Sequence, residues 1–344
     1  MASIVYIISN TSHFLEAENK IKEQNRAIVT AEQTGKEKPK WDGPTEKTVK
    51  GYKNITVKFG KWCKATYGCR TLEDCHPHIQ DYADYLKSIG RTANTVHKYL
   101  AGICFAFGIT QDGIIKEKRT IASTKDYSKI VCYKRSDAKR ERSPRLYDFA
   151  NMVGIRRDEY KHLRGNDFVQ DEHGNWCVCV RKGKGGKKQL QRIPLAYVES
   201  VAGYFDGNEN HYVFTAAEMK NKINLHNLRH AVAWAAYQEY ITQLNVNPGY
   251  REQLTAELKK RFLADGAIKK WKYREVCGKY VLRGKNRELA VKARFPVEYD
   301  RLALMATSVY YLSHWRNNVS VANYILQEAK YLYDMRRESC KNEV

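Results

Sequence analysis

The sequence predicts a mainly α-helical protein with a small antiparallel β-sheet, built as two domains, and three features carry that expectation. Apolar residues recur near a period of 3.6 from Val49 to Phe107 and again in the second half of the chain, the spacing of one helix face. Two short strand-like runs, Trp176 to Arg181 and Gln189 to Pro194, flank a turn of glycines and lysines. Between the helical stretches, segment 116–143 is dense in Lys and Arg and poor in large apolar residues, as expected of a linker. The 344 residues suffice for two ordinary domains, each with its own core.

In chain order, residues 1–40 are polar and rich in Lys and Glu, and they end in a Gly/Lys/Pro stretch that buries little, so a helix followed by an arm is expected. A compact helical domain follows over 41–115. Its first helix carries Val49, Tyr52, Ile55, Val57, Phe59 and Trp62; its second Ile79, Tyr82, Ala83 and Leu86; its third Val96, Tyr99, Leu100, Ile103 and Phe107. The second domain, 144–324, opens with helices from Tyr147 to Gly154 and from Asp158 to Arg164, then the basic hairpin, then an apolar helix from His226 to Tyr240. A basic, irregular insertion spans about 245–296, and Leu302 to Tyr311 returns to a core helix. The last segment, 325–344, is a helix with Ile325, Leu326, Ala329, Leu332 and Tyr333 along one stripe, which fits either its own domain or a neighbouring protomer.

Sixty Lys and Arg against 38 Asp and Glu give a formal net charge of +22, which suits a polyanionic partner. Nucleic acid leads over an anionic membrane, because the apolar run Ile4 to Ile8 is far too short to span a bilayer and the basic residues are spread along the chain. Nine cysteines, an odd number with no CxxC pair and no signal-peptide pattern, read as free thiols of an intracellular protein. Cys177 and Cys179 alternate in a strand and are expected to be buried rather than to bind metal.

Transfer of a phosphodiester without metal needs a nucleophile, cations for the non-bridging oxygens, and an acid for the leaving oxygen. Arginine suits the second task because its fork binds phosphate in two places and stays charged. Four segments of the second domain offer such groups: Gly154 to Glu159 with Arg156, the hairpin with Lys184, His226 to His230 with Arg229, and Leu312 to Trp315 followed by Tyr324. Each alone has a plain structural reading. Arg156 and Glu159 have the spacing of a helix ion pair, Arg157 reads as exposed, His230 as a core group or a support, and the hairpin as a solvated turn. Lys182, Lys187 and Lys188 compete with Lys184, and Tyr310, Tyr311, Tyr331 and Tyr333 with Tyr324, among 24 tyrosines.

Taken in order, the four segments resemble the tyrosine recombinase (phage integrase) family. Gly154-Ile155-Arg156-Arg157-Asp158-Glu159-Tyr160 is similar to its Gly-Leu-Arg-x-x-Glu-Leu motif, Gly183 to Lys188 to its Gly-Lys-Gly-x-Lys turn, His226-Asn227-Leu228-Arg229-His230 to its His-x-Leu-Arg-His box, and Leu312-Ser313-His314 to its Leu-Gly-His. The resemblance implies a helical core-binding domain and a catalytic domain around duplex DNA. It implies a 3′-phosphotyrosine on Tyr324, with Arg156 and Arg229 on the phosphate, His226 as base and ligand, His314 as hydrogen-bond donor and Lys184 as acid. No metal or cofactor is implied. The expected assembly is a homotetramer on two paired sites in which helix 325–344 docks on the neighbouring protomer rather than on its own domain, with DNA-bending accessory proteins as further partners and no membrane role.

Two departures stand out. His314 lies ten residues before Tyr324 where the family usually shows nine, so either the loop after it carries an extra residue or Trp315 takes its role, since both residue types occur there. The interval from Arg229 to His314 is also long and holds the basic insertion, read as DNA contacts, a partner platform or a solvated excursion. A type IB topoisomerase, or a DNA-binding protein of the same fold that does not cut, would be the other readings.

Overall fold

The computed structural model describes residues 4–34, 43–118, 140–183, 188–220, 223–265 and 271–342. The chain divides into two compact units, Met1–Val131 and Cys132–Val344. The division falls in the basic segment 116–143, of which 119–139 lie outside the described residues.

Among the described residues the first unit is helical: α1 (Ile4–Ser9), α2 (Ser12–Thr34), α3 (Glu46–Tyr67), α4 (Leu72–Cys75), α5 (Ile79–Ser88) and α6 (Ala93–Phe107). Threonines set three of the starts. The hydroxyls of Thr45, Thr71 and Thr92 each accept from the backbone N–H three residues on, filling donors that a helix N-terminus leaves open. The expected apolar faces meet in one core around Phe59, Leu100 and Ile103. At the α3–α6 crossing a Cβ on Gly102 would lie 3.2 Å from Ile55 Cγ2, so any larger residue would push Ile55 aside by a few tenths of an ångström. The hydroxyl of buried Thr56 donates to the Gly102 carbonyl there, at 3.1 Å.

Residues 4–34 form the helical part of the expected N-terminal segment, and the arm expected after them, to about residue 40, lies outside the described residues. Ile8 and Phe14 are fully buried and Ile21 nearly so, and the Phe14 ring lies 5.5 Å from that of Phe105. Three apolar residues, wide apart in a Lys/Glu-rich stretch, anchor these helices while the charges face water.

In the second unit β1 (Phe168–Gln170), β2 (Trp176–Val180) and β3 (Gln189–Arg192) form an antiparallel sheet in that order. Phe168 pairs with Val178, and Val178 with Gln191. The first strand is too short to register as alternation in the sequence. Helix Pro144–Met152 packs Leu146 and Phe149 with Val178 and Val180 of the sheet into one core. Cys177 and Cys179 are buried free thiols.

The long helix Leu225–Val246 is the centre of a second core. The stretch read as an irregular insertion belongs to that core. It holds helix Tyr250–Ala264, strand β4 (Lys279–Val281) paired with β5 (Glu298–Asp300), and helix Gly284–Lys292. Leu254, Leu258, Ala290 and Phe295 are buried. Its charges had hidden a helical Leu254/Leu258 pair one turn apart. Two of the basic residues are also engaged, Lys260 with Glu172 at 2.7 Å and Arg261 with Asp265 at 3.2 Å.

The chain then runs through helix Arg301–Ala306, a π-helical turn Thr307–Tyr311, helix Asn317–Ser320, a second π-helical turn Val321–Ile325 and helix Leu326–Asn342. Ile325, Leu326 and Ala329 enter the unit's own core, and Leu332 and Tyr333 lie against it. That stretch of the apolar stripe is therefore occupied within the unit. No helix among the described residues is long and apolar enough to cross a membrane.

Candidate functional site

Arg229 projects from the second turn of the Leu225–Val246 helix and is only 1% exposed. Its guanidinium donates Nε–H to the Gly154 carbonyl at 2.6 Å and Nη2–H to the Leu312 carbonyl at 3.0 Å, and Nη1 stands 3.5 Å from the Tyr324 hydroxyl. Arg156 reaches the same Leu312 carbonyl through Nη2 at 3.4 Å. Two arginine forks thus converge on one oxygen beside the Tyr324 phenol. Burial pulls the Arg229 pKa down, partly offset by Tyr324.

Backbone geometry explains why these residues meet. Gly154 passes close under the site: a Cβ there would lie 3.0 Å from the Tyr311 carbonyl oxygen and 3.3 Å from Val232. Arg156 occupies the N-cap of helix Arg157–Tyr160, where its N–H donates to Glu159 Oε2 at 2.6 Å and its Nη1 to Oε1 at 2.8 Å. Glu159 is 3% exposed, so this is an enclosed ion pair rather than the surface bridge the spacing alone allows. Arg157 is half-buried and turned elsewhere, donating to the carbonyls of Met219 and Ile223.

The two histidines flank the phenol. The His226 ring stands edge-on to Tyr324 at 5.6 Å, and the His314 ring is tilted to it at 6.1 Å. Burial, then the charges of Arg229 and Arg156, lowers the His226 pKa. Burial first, then Arg229, Arg316 and Arg156, takes His314 down to about 4. Both ring nitrogens of His314 are buried without a hydrogen-bond partner among the described residues. A buried imidazole with nothing to bond is costly and is suited to receiving a ligand.

Trp315, the alternative to His314, turns away. Its ring lies edge-on to Phe262 at 5.1 Å and its Nε1–H donates to Asp265 Oδ2 at 3.0 Å. The ten-residue interval to Tyr324 contains the π-helical turn Val321–Ile325. Such a turn holds one residue more than an α-helical turn and so takes up an extra position. His230 lies outside the group, bonded to Glu328 on the last helix.

Lys184 falls outside the described residues, with 185–187. The strand that follows that loop is nevertheless tied to the site. Gln189 Nε2 donates to Ser313 Oγ at 2.8 Å, and Ser313 Oγ donates to Gln191 Oε1 at 2.9 Å. Ser313 has φ +58°, the left-handed region that favours glycine, and the hydrogen bonds of its hydroxyl offset that cost. Neither glutamine was singled out in the sequence, since a cross-chain bond to a loop leaves no local pattern. Opposite them, Arg192 of β3 is 5% exposed and pairs with Asp171 at 2.8 Å and with Glu257 of the insertion.

The arrangement provides a phenol, two guanidinium groups and two imidazoles whose pKa values are lowered, which is equipment for binding and attacking a phosphate. No protein-family model matches the chain. Over 182 residues, 48% of the chain, it is 22% identical to a protein named TnP I resolvase from Bacillus thuringiensis, and it spans only 63% of that relative's length.

Proposed function

We propose that the chain is a site-specific DNA recombinase that cuts and rejoins strands through a 3′-phosphotyrosine on Tyr324. Arg229 carries the reading: a buried guanidinium held by carbonyls, with Nη1 3.5 Å from the Tyr324 hydroxyl. A buried cation without a carboxylate partner is expensive, and a phosphate oxygen would complete it. The likeness to a protein named resolvase supports DNA strand exchange in general, and the order of the motifs supports the tyrosine route.

In that route the Tyr324 oxygen attacks the phosphorus as the 5′ oxygen leaves. Arg156 and Arg229 hold the charge that develops on the non-bridging oxygens. His226 takes the phenol proton, His314 donates a hydrogen bond, and Lys184 gives a proton to the leaving oxygen. The energy of the broken bond is kept in the phosphotyrosine, so a 5′ hydroxyl from another strand reverses the step. Paired sites on double-stranded DNA would then call for four protomers.

A nicked duplex from which the cleaved end diffuses away traps the covalent adduct, and peptide mapping locates it. The adduct should map to Tyr324 and vanish in Tyr324→Phe, while DNA affinity stays nearly intact because phosphate contacts dominate it. An adduct on a serine would overturn the tyrosine route. Relaxation of supercoiled plasmid by a monomer would favour a topoisomerase, and absence of any adduct a DNA-binding protein that does not cut. Lys184→Ala should slow cleavage of ordinary DNA and be rescued by a 5′-thiolate leaving group; equal defects on both would move the role to a neighbouring lysine.

A further inference from the structure

A cavity of about 390 Å³ opens beside the loop that follows His314. Its size is at the lower end of the roughly 300–1,000 Å³ of small-molecule pockets. Phe262, Trp271 and Trp315 line it with their rings nearly perpendicular in pairs: 68° at 5.4 Å, 89° at 5.1 Å and 83° at 6.4 Å. Each edge-to-face contact covers one face of one ring and leaves the opposite face of that ring free of its partner. Asp265 holds the Trp315 indole by its N–H, which fixes that ring in place.

Asn317 supplies an independent observation. It is 4% exposed and lines the same cavity. Its Nδ2 faces two carbonyls, donating to Glu275 at 2.7 Å and to Arg301 at 3.5 Å, which settles which side of the amide is nitrogen. Its Oδ1 is buried and has no partner among the described residues. The cavity is therefore lined by three aromatic side chains and by a residue that carries one buried, unpartnered acceptor, with exposed Lys272 and Arg316 among its lining residues.

We infer that this cavity takes an unstacked nucleobase of the DNA strand, its π-face against the aromatic rings and an amino or imino N–H on Asn317 Oδ1, with Lys272 and Arg316 on the adjoining phosphate. The inference rests on the DNA-binding part of the function proposed above. An aromatic side chain of a partner protein would meet the rings but would not use two cations and a buried acceptor together. The chain from Trp315 to Asn317 continues through Asn317–Ser320 into the turn bearing Tyr324, so a base held here is on the same loop as the nucleophile.

The test compares the full chain on three labelled duplexes by fluorescence anisotropy: perfect, with one bulged adenine, and with one bulged abasic nucleotide. The two bulges carry the same extra backbone unit at the same place, and only one of them carries a base. The adenine bulge should bind roughly tenfold tighter than the abasic one, the scale of one stacked base. That preference should disappear in Trp271→Ala and largely survive in Trp271→Phe. A bulged purine without the 6-amino group should lose a few-fold, through Asn317. Equal binding of the two bulges by the wild type overturns the inference, as does a preference that survives Trp271→Ala. So does a Trp271→Ala variant that alters self-association alone. The adduct assay is read separately: adducts without bulge preference sink only this inference, and bulge preference without adducts sinks only the cutting reaction.

Discussion

Arg192 and Arg229 are both buried arginines of the second unit, and their surroundings are opposite. Arg192 meets Asp171 and Glu257, lies 3.8 Å from the Tyr310 ring centre, and donates to the Tyr240 hydroxyl at 3.2 Å. Burial opposes its charge, but Tyr240, Glu257, Asp171 and Tyr310 outweigh burial and its pKa rises. Arg229 meets carbonyls and a phenol; burial prevails and its pKa falls. The first arginine is neutralised and fastens the insertion to the sheet that carries the hairpin. The second meets only carbonyls and a phenol, as the proposed phosphate site requires. Burial of a guanidinium is thus ambiguous by itself, and the partner's charge decides between clamp and anion site.

The largest expected effect separates the two. Arg192→Met leaves Asp171 and Glu257 without their cation and should cost about 3–5 kcal/mol of stability in urea unfolding. A loss below about 1 kcal/mol would mean the clamp is not electrostatic.

Arg229→Met should instead strike the reaction, lowering adduct formation by about 10²–10³-fold, the effect of removing one stabilising donor. Its stability cost should be the smaller of the two, because losing carbonyl partners is offset by losing an uncompensated charge. Equal stability losses in the two variants would break the contrast.

Gly154→Ala sharpens it, because Gly154 supplies the carbonyl that orients Arg229. A methyl group 3.0 Å from the Tyr311 oxygen should cost about 1–3 kcal/mol and slow adduct formation, with the Arg192 network untouched. Wild-type kinetics in this variant would show that Arg229 does not need that anchor.

The smallest effect concerns pH. The folded pKa of His314, about 4, lies below the ordinary 6.5, so the unfolded chain takes the proton first. Stability is therefore full above about pH 6.5 and declines as pH falls towards 4, by about 1 kcal/mol at pH 5 after discounting for partial exposure. Phosphate binding should move the other way, tightening as the imidazole gains its proton. His314→Gln should remove its share of both profiles and leave that of His226, whose pKa is lowered in the same way; unchanged profiles would place the titration elsewhere.

Much of this was legible in the sequence, for physical reasons that differ by region. The helices around Phe59 and Leu100 announce themselves because their buried faces repeat at the helix period. Arg156, His226, Arg229 and Tyr324 stood out because motif order survives when spacing does not, and the structure brings these four together. What stayed hidden depends on long-range contact. The carbonyl of Leu312 carries no side-chain signature, Gln189 and Gln191 act across more than 100 residues, and the insertion's core lay beneath its lysines. Trp315 looked interchangeable with His314 until the fold pointed the two rings in different directions.

The π-helical turn at Val321–Ile325 bears on how such a chain tolerates change in length. One residue added to an ordinary helix rotates everything beyond it by about 100°, which would swing Tyr324 away from Arg229 and pull Leu326 and Ala329 out of the core. A single wide turn confines the added residue to a local bulge and returns the following helix to its original phase. Ancestral insertions at this place would then be nearly silent in space while shifting every downstream sequence number by one.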